Sequence, residues 1–257
     1  MTTHPTALVS ERAQIGKNAV IGAFTSIHSN VVVGDDCTVD AYCSIGEPTP
    51  HAHGRSLLIG NGARIRSHSV FYEGSTFGAG LETGHRVTVR EGVVAGVNLR
   101  IGTGADIQGD SGIGDYVRFH SGVFISKNSV IGDFVWLFPR VVLTEDPHPP
   151  SAISRGVTIE RYAAIAAAAV LLPGVRIGED SLVGAHALVG GDVGPDTVVV
   201  GVPARRLCKA SDIRLEDGSM RPAYPWRTHF HRGYPEEVVG RWLERVAELQ
   251  RNLEPPL

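Results

Sequence analysis

Residues 101–136 read IGTGADIQGDSGIGDYVRFHSGVFISKNSVIGDFVW, six blocks of six residues that each begin with a large apolar side chain. The same period runs from Ile15 to Ile45, then without a gained or lost residue from Ile59 to Leu143, and again from Ile159. Helices need apolar spacing near 3.6 residues, which a six-residue period does not sustain. A strand of four or five residues followed by a glycine-assisted corner fits, and three such strands complete one triangular coil.

The first and fifth positions of each block are predicted to point into the prism. The fifth position is mostly small or β-branched, as in Ala19, Thr25, Cys37, Cys43, Ala63, Ser69, Ser75, Ala105, Val123 and Ala169. Cys37 and Cys43 are therefore expected to be core thiols. An odd number of cysteines, three, also makes a disulfide framework improbable. The repeat domain is expected to cover residues 1–207, with coils from about residue 7.

Composition excludes several classes of function. The 257 residues carry a formal net charge of -3 with acidic and basic residues mixed, which argues against a dedicated nucleic-acid partner. The first residues, MTTHPTALVSERAQIG, contain no apolar signal core, and no apolar run is long enough to span a membrane. A cytoplasmic protein without a membrane partner is the expectation.

The repeated [LIV]-G-x-x-x-x pattern resembles the hexapeptide-repeat acyltransferases. Residues 165–207, IAAAAVLLPGVRIGEDSLVGAHALVGGDVGPDTVVVGVPARRL, are similar to the last coils of these enzymes, including their closing V-x-G-x-P-A-R. The resemblance implies an all-β, left-handed parallel β-helix, a triangular prism with extruded loops and a short C-terminal helical tail. Its handedness comes from the family alone. Family members are usually homotrimers with active sites in the clefts between neighbouring prisms.

Three further segments narrow the resemblance: ETGHRVTVRE (82–91), VRFHSGVFIS (117–126) and DPHPP (146–150). Together they resemble the branch related to nucleotide-sugar N-acetyltransferases. This implies that an amine on a small-molecule acceptor, a sugar nucleotide, attacks the thioester of acetyl-CoA or another acyl-CoA directly. Such a reaction needs a base, and histidine is the usual one because its pKa lies near the working pH.

Two histidines are predicted to share one side of the prism. Blocks that start eighteen residues apart share a face, which places His85 and His120 two coils apart, roughly 10 Å in height. His120 is the first choice for the base, while His85, with Glu82 and Arg90 in the same segment, is expected to line the acceptor pocket. The alternative is that both histidines are solvated surface residues.

The period breaks after Leu143, in LTEDPHPPSAISRG (143–156), where ten residues are expected to leave the prism at a corner. Three prolines stiffen this loop and deny it backbone donors. Asp146 or Glu145 could bind the substrate amine or orient His120, and His148 is a competing base. Relatives often carry asparagine at the position of Glu145. The alternative is a rigid loop without a chemical role.

The last coils are expected to bind the donor. The resemblance implies backbone contacts to the pantetheine arm at Ala166, Gly184 and Ala185, with Arg205 or Arg206 near phosphate. The alternative is corner packing and solvated arginines. Two residues depart from the family pattern in this region, His186 and Gly191.

A metal site is the alternative for the first break, EPTPHAHGRSLL (47–58), which carries His51 and His53. The γ-class carbonic anhydrases share the fold, and Arg64, Gln108 and Asp110 are similar to parts of their site. However, the G-H-x-x-x-x-H spacing of their ligands is absent. No metal is therefore expected.

Residues 208–257 are aperiodic and are predicted to cap the prism or to contact a second subunit. PEEVVGRWLERVAELQRNL (235–253) reads as an amphipathic helix with one apolar face, formed by Val238, Val239, Trp242, Val246 and Leu249. Stacking of a nucleotide base on Trp226, His229 or His231 is an alternative role. Two functions other than amino-sugar N-acetylation stay open: O- or N-acylation of an amino acid or other small metabolite, and a non-catalytic scaffold.

Overall fold

A computed structural model describes residues 1–251 of the protein, and the side chains of residues 1–244. Within this range the strands form three sheets, which are the faces A, B and C of a triangular prism. The chain visits the faces in the order A, B, C on every coil. The fold is the left-handed parallel β-helix that the repeat and the resemblance predict.

The strands of each face are as follows. Face A contains β1 (Thr2–Thr3), β4 (Val20–Ile21), β7 (Thr38–Val39), β10 (Arg64–Ile65), β13 (Glu82–Thr83), β16 (Arg100–Ile101), β19 (Arg118–Phe119), β22 (Trp136–Leu137), β25 (Ala164–Ile165), β28 (Leu182–Val183), β30 (Thr197–Val200) and β31 (Arg205–Lys209). Face B contains β2 (Leu8–Val9), β5 (Ser26–Ile27), β8 (Ser44–Glu47), β11 (Val70–Tyr72), β14 (Thr88–Val89), β17 (Asp106–Ile107), β20 (Phe124–Ile125), β23 (Val142–Leu143), β26 (Val170–Leu171) and β29 (Leu188–Val189). Face C contains β3 (Gln14–Ile15), β6 (Val31–Val33), β9 (Leu57–Ile59), β12 (Thr76–Phe77), β15 (Val94–Ala95), β18 (Gly112–Ile113), β21 (Val130–Ile131), β24 (Thr158–Ile159) and β27 (Arg176–Ile177).

Most strands contain two residues, which is shorter than the four or five that the pattern predicts. The chain bends at the third and fourth positions of each block, and the fourth adopts a left-handed backbone even at residues such as Asn98 and Tyr116 (φ 56° and 57°). The coils also begin at Thr2, earlier than predicted, because Thr2 pairs with Val20 in face A.

Glycines at the second position serve close approach between coils and not the corner itself. A Cβ added to Gly102 would lie 2.3 Å from the carbonyl carbon of His120 on the next coil. Such a contact is impossible without moving one coil away from the other. The sequence pattern predicts that glycine assists the corner, and this prediction is wrong for Gly102.

The core follows the predicted inward positions. First-position residues such as Ile101 and fifth-position residues such as Ala105 are buried in one continuous apolar cluster. Cys37 and Cys43 belong to it, as predicted, and burial raises the pKa of both thiols.

The second break leaves the prism intact. Ile131 pairs in register with Ile159, 28 residues along the chain, where the regular spacing is 18, so that ten residues are extruded between β23 and β24 as predicted. The loop therefore projects from the edge between faces B and C.

The chain divides into two compact units, Met1–Leu207 and Cys208–Leu257. The second contains 3-10 helices at Ala210–Asp212 and Trp226–Thr228 and the helix α1 (Glu236–Arg251). Val238 and Trp242 are buried, while the side chains of Val246 and Leu249 lie outside the described residues. A capping role for this unit stays a prediction. No α-helix within residues 1–251 combines the length and apolar character needed to cross a membrane.

Candidate active site

The edge between faces A and B, called the A–B edge below, carries the first-choice base and the predicted donor contacts. His120, Ala166 and Gly184 each follow a face A strand directly, and their backbone N–H groups donate to the next coil at 2.8 Å. Ala166 lies two coils beyond His120 and Gly184 three, about 10 and 14 Å at the spacing of paired strands. The structure thus aligns these three residues on one edge, with Ala185 at the corner beside Gly184.

The His120 imidazole rests against two aromatic rings. It stacks on Phe138 at 4.9 Å between ring centroids and lies 5.8 Å from the Trp136 ring. Among the described residues its ring nitrogens have no hydrogen-bond partner. Partial burial lowers the pKa of His120 below its ordinary value. The imidazole is therefore neutral at pH 7, and a nitrogen lone pair is free to accept a proton.

Bare backbone lies directly below His120 on the same edge. The two preceding coils carry Gly84 and Gly102 at the equivalent position. Beside them on face A, Arg100 and Glu82 form an ion pair at 3.4 Å. Both glycines are partly exposed and present only backbone beside the imidazole, with polar groups along the side of this stretch.

His85 directly follows Gly84, at the corner of the prism beside this stretch. Its Nδ1 is 2.9 Å from the Ser67 hydroxyl, and its backbone N–H donates to the Thr103 hydroxyl at 3.2 Å. These contacts fix the ring and leave Nε2 available for a ligand. The structure therefore brings His85 and Glu82 to the region that the sequence predicts for the acceptor.

Further down face A lies a small cavity that the sequence reading missed. It has a volume of about 140 Å³ and is lined by Thr38, Asp40, Arg64, Ile65 and Arg66. Arg66 approaches Asp40 at 3.5 Å, whereas the guanidinium of Arg64 has no hydrogen-bond or ion-pair partner among the described residues. The repeat could have pointed to these two arginines, because Arg64 and Arg66 occupy outward positions of the same face as His120.

Arg90 does not join this group. It lies on face B, where its guanidinium contacts the Glu91 carboxylate at 3.1 Å and covers the Tyr72 ring at 4.7 Å. Burial of Glu91 acts to raise the pKa of its carboxyl, but hydrogen bonds from its own backbone N–H and from Arg90, together with the Arg90 charge, lower that pKa overall. The arrangement indicates a structural ion pair.

The extruded loop is anchored but does not reach His120 within one chain. Its base is closed by the Arg155 N–H, which donates to the Glu145 carbonyl at 2.8 Å, and Asn128 donates to the Ser154 hydroxyl at 3.0 Å. Asp146 is half-buried and His148 is exposed. Face B separates this loop from the A–B edge, a width of roughly 15 Å for four or five extended residues. Glu145, Asp146 and His148 therefore do not meet His120 of their own chain.

Arg205 and Arg206 lie at the last coil of the prism. They line a cavity of about 740 Å³ together with the glycine-rich segment 190–194, whose residues include the family departure Gly191. Both arginines are exposed. The cavity combines backbone groups with two cations and one carboxylate, that of Asp192, so that the positive charges exceed the negative one, as a phosphate site requires. Along the prism axis the cavity lies on the same side of His120 as Ala166 and Gly184.

The residues considered for a metal site are not assembled into one. Arg64 lies on face A, whereas Gln108 follows a face B strand and bonds Asp106 at 2.9 Å. His51 and His53 are exposed in the first break. Within residues 1–251 no three histidine, cysteine, aspartate or glutamate side chains form a group able to hold a metal ion.

Sequence comparisons agree with the repeat. Residues 12–47 match the family model described as bacterial transferase hexapeptide (six repeats). A 66-residue segment is 46% identical to a 2,3,4,5-tetrahydropyridine-2,6-dicarboxylate N-acetyltransferase of Staphylococcus aureus (strain bovine RF122 / ET3-1), covering 26% of this chain and 27% of that protein. The match thus spans about a quarter of the length of the curated relatives.

Structural comparisons support the fold. An Arabidopsis UDP-N-acetylglucosamine acyltransferase superimposes with a TM-score of 0.63 at 19% identity, covering 80% of this chain and 73% of that one. The enzyme of the same name from Campylobacter jejuni gives a TM-score of 0.55 at 16% identity, over 99% and 92% of the two chains. At 19% and 16% identity these similarities show the fold alone.

Proposed function

We propose that the chain is an acyltransferase that moves an acetyl group from acetyl-CoA to the amine of a nucleotide-linked amino sugar. The six-residue repeat and the left-handed β-helix fold support the class of enzyme. One observation carries the proposal: His120 marks a change of character along face A. On three of the coils below it face A carries the charged outward side chains Arg64, Glu82 and Arg100, and above it the outward residues include Ala164 and Leu182, which are small or apolar. A polar acceptor and a thioester arm would meet at the imidazole.

The chemistry follows from this placement. The acceptor amine attacks the thioester carbonyl carbon, and the neutral His120 imidazole takes the proton that the nitrogen loses. The tetrahedral intermediate then collapses, the carbon–sulfur bond breaks, and the imidazolium returns the proton to the departing thiolate. The lowered pKa of His120 keeps it in the basic form at neutral pH. Cys37 and Cys43 are buried in the core, so an acyl-enzyme intermediate on either thiol is not part of the proposal.

A second copy of the chain completes the site in this proposal. Among the described residues of one chain no carboxylate orients the imidazole, and the acidic loop lies one face away. In a closed ring of three copies, each A–B edge can adjoin the B–C edge of its neighbour, since a heterologous contact repeated by a threefold axis closes on itself. Asp146 of one copy would then orient His120 of the next, with His148 at the rim.

Thiol release from acetyl-CoA tests the proposal directly. The acceptors to compare are amino sugars linked to nucleoside diphosphates, the same sugars without a nucleotide, and amino dicarboxylates. His120→Ala should lose at least about 100-fold in kcat, the usual contribution of a positioned base, while keeping its fold and assembly. His85→Ala should mainly raise KM. Absence of both turnover and coenzyme A binding in the wild-type protein would refute an acyltransferase.

A second candidate acceptor has its own support. The curated relatives that share the 66-residue segment are named for a dicarboxylate substrate. Guanidinium groups bind carboxylates as well as phosphates, so that the arginines of lower face A would also suit a small dicarboxylate amine. The acceptor panel separates the two candidates, because a dicarboxylate enzyme would turn over the amino dicarboxylate with a KM far below that of any sugar nucleotide.

A further inference from the structure

We infer that the cavity around Arg64 and Arg66 is a phosphate subsite, which holds the diphosphate of the acceptor while its amino sugar reaches His120. The inference rests on the proposed function and extends it to residues that the repeat pattern did not single out. It concerns lower face A, below Gly84 and Gly102.

The charges of the cavity favour an anion. Arg64 and Arg66 contribute two guanidinium groups against the single carboxylate of Asp40. Asp40 contacts Arg66 at 3.5 Å and so holds that side chain over the cavity, while Arg64 has no ion-pair partner among the described residues. Thr38, which has a hydroxyl group, also lines the cavity. Planar guanidinium groups match phosphate oxygens in paired hydrogen bonds, and this is the geometry for which arginine is favoured at phosphate sites.

The size of the cavity points to the same class of ligand. A volume of about 140 Å³ accommodates a phosphate group but not a nucleobase with its ribose. The nucleoside would therefore extend past the cavity into solvent or towards a neighbouring copy, and the two arginines would read the diphosphate only.

The spacing along face A fits an acceptor with the sugar above the phosphates. Arg66 occupies the second position of its block, as His120 does, three coils lower and therefore about 14 Å away in height. Gly84 and Gly102 lie on the two coils between them. A sugar ring placed on the backbone of Gly84 and Gly102, with its diphosphate below, spans the distance from His120 to Arg66 once the arginine side chains extend towards His120.

The opposite end of the edge is already suited to the donor. Beyond His120 the edge carries Ala166 and Gly184, and the last coil adds the separate cavity at Arg205 and Arg206. The adenine nucleotide of coenzyme A thus has its own cationic region far from Arg64. Phosphates bound at the lower cavity therefore belong to the acceptor.

The test measures binding and does not depend on turnover. Isothermal titration with UDP and with coenzyme A is carried out on the wild-type protein, on Arg64→Gln, on Arg64→Gln/Arg66→Gln, and on Arg12→Gln, which removes the same charge from an exposed edge of the first coils. We expect Arg64→Gln to weaken UDP about 10-fold and the double variant about 100-fold, the loss of one and two charge-assisted hydrogen bonds. Arg12→Gln should bind UDP as the wild type does, and coenzyme A should bind all four proteins equally.

Two competition measurements identify which part of UDP the arginines bind. Inorganic pyrophosphate should compete with UDP, whereas uridine should not. Weakened coenzyme A binding in the arginine variants would assign the cavity to the donor and overturn the inference, as would unchanged UDP binding in the double variant or no UDP binding by the wild type. Circular dichroism and size-exclusion elution show whether the double variant is folded, and Arg64→Gln, which breaks no contact, decides the question if it is not.

The outcome is separable from that of the proposed function. If the wild type acetylates a phosphate-free amino sugar but does not bind UDP, the acyltransferase stands and the phosphate subsite fails. If UDP binds through Arg64 and Arg66 but no amine is ever acetylated, the subsite stands and the acyltransferase fails.

Discussion

Two inactive variants should restore each other when they share a trimer. His120→Ala removes the base and keeps the loop, whereas Asp146→Asn/His148→Ala keeps the base and removes the acidic and imidazole groups of the loop. Face B, roughly 15 Å wide, prevents a loop from serving the His120 of its own chain. Each cleft is therefore expected to need His120 from one copy and the loop from its neighbour.

The expected yield follows from symmetry. Around a ring of three copies that contains both variants, in either proportion, one cleft has an intact base beside an intact neighbouring loop. Mixed trimers should therefore show about one third of wild-type kcat with an unchanged KM, while each variant alone stays near background. A site within a single chain would give no recovery, because every chain carries one defect.

The assay uses two affinity tags. The variants are co-expressed, each with its own tag, purified over both columns to remove pure trimers, and assayed for thiol release from acetyl-CoA. Co-expression of His120→Ala with a second tagged copy of itself is the matched control and should stay inactive. A mixed trimer without activity, or a loop variant with near-wild-type turnover alone, would refute the intersubunit arrangement.

Three other predictions concern single groups. Burial lowers the pKa of His120, so the titration of its imidazole, followed by NMR with His120→Ala as the assignment control, should have a midpoint below about 6.5; a midpoint above that value would contradict a buried neutral base. The pKa of Glu91 is lower in the folded protein than in the unfolded chain. Its contribution to the free energy of unfolding is therefore present above the unfolded pKa of about 4.3 and is lost as the pH falls through the folded pKa. In chemical denaturation Glu91→Gln should reduce the loss of stability at acid pH, and an unchanged loss would refute the assignment. Gly102→Ala should lower the free energy of unfolding by about 1–3 kcal/mol and reduce kcat by shifting His120. Gly112→Ala, where the added Cβ meets open space, should leave both quantities nearly unchanged. Equal effects of the two changes would contradict the argument that Gly102 is needed for close approach of the coils.

The sequence predicts the fold well because a six-residue period determines both the face and the height of each residue. His85, His120, Ala166 and Gly184 are brought to one edge for this reason alone. The period also predicts the ten-residue excursion before Ile159 and the burial of the fifth positions.

What the period does not contain is how side chains pair between coils. Arg90 shares a segment with His85, but five residues after His85 the chain has turned onto face B, where Arg90 binds Glu91. The partnership of Arg66 with Asp40 joins residues 26 positions apart across the first break, and the pattern alone does not show it. Glycine at Gly102 reads as a turn signal, although the constraint comes from His120 on the adjacent coil.

The in-register pairing of Ile131 with Ile159 has a consequence for how such a protein can change. The distance between two residues along the prism axis depends on the number of coils between them, and residues added in a loop at an edge do not change that number. The loop from Glu145 to Arg155 can therefore be lengthened, shortened or exchanged while the height from His120 to Ala166 stays constant. The length and sequence of this loop can therefore vary without any change in the coil spacing, which the backbone hydrogen bonds of the prism set.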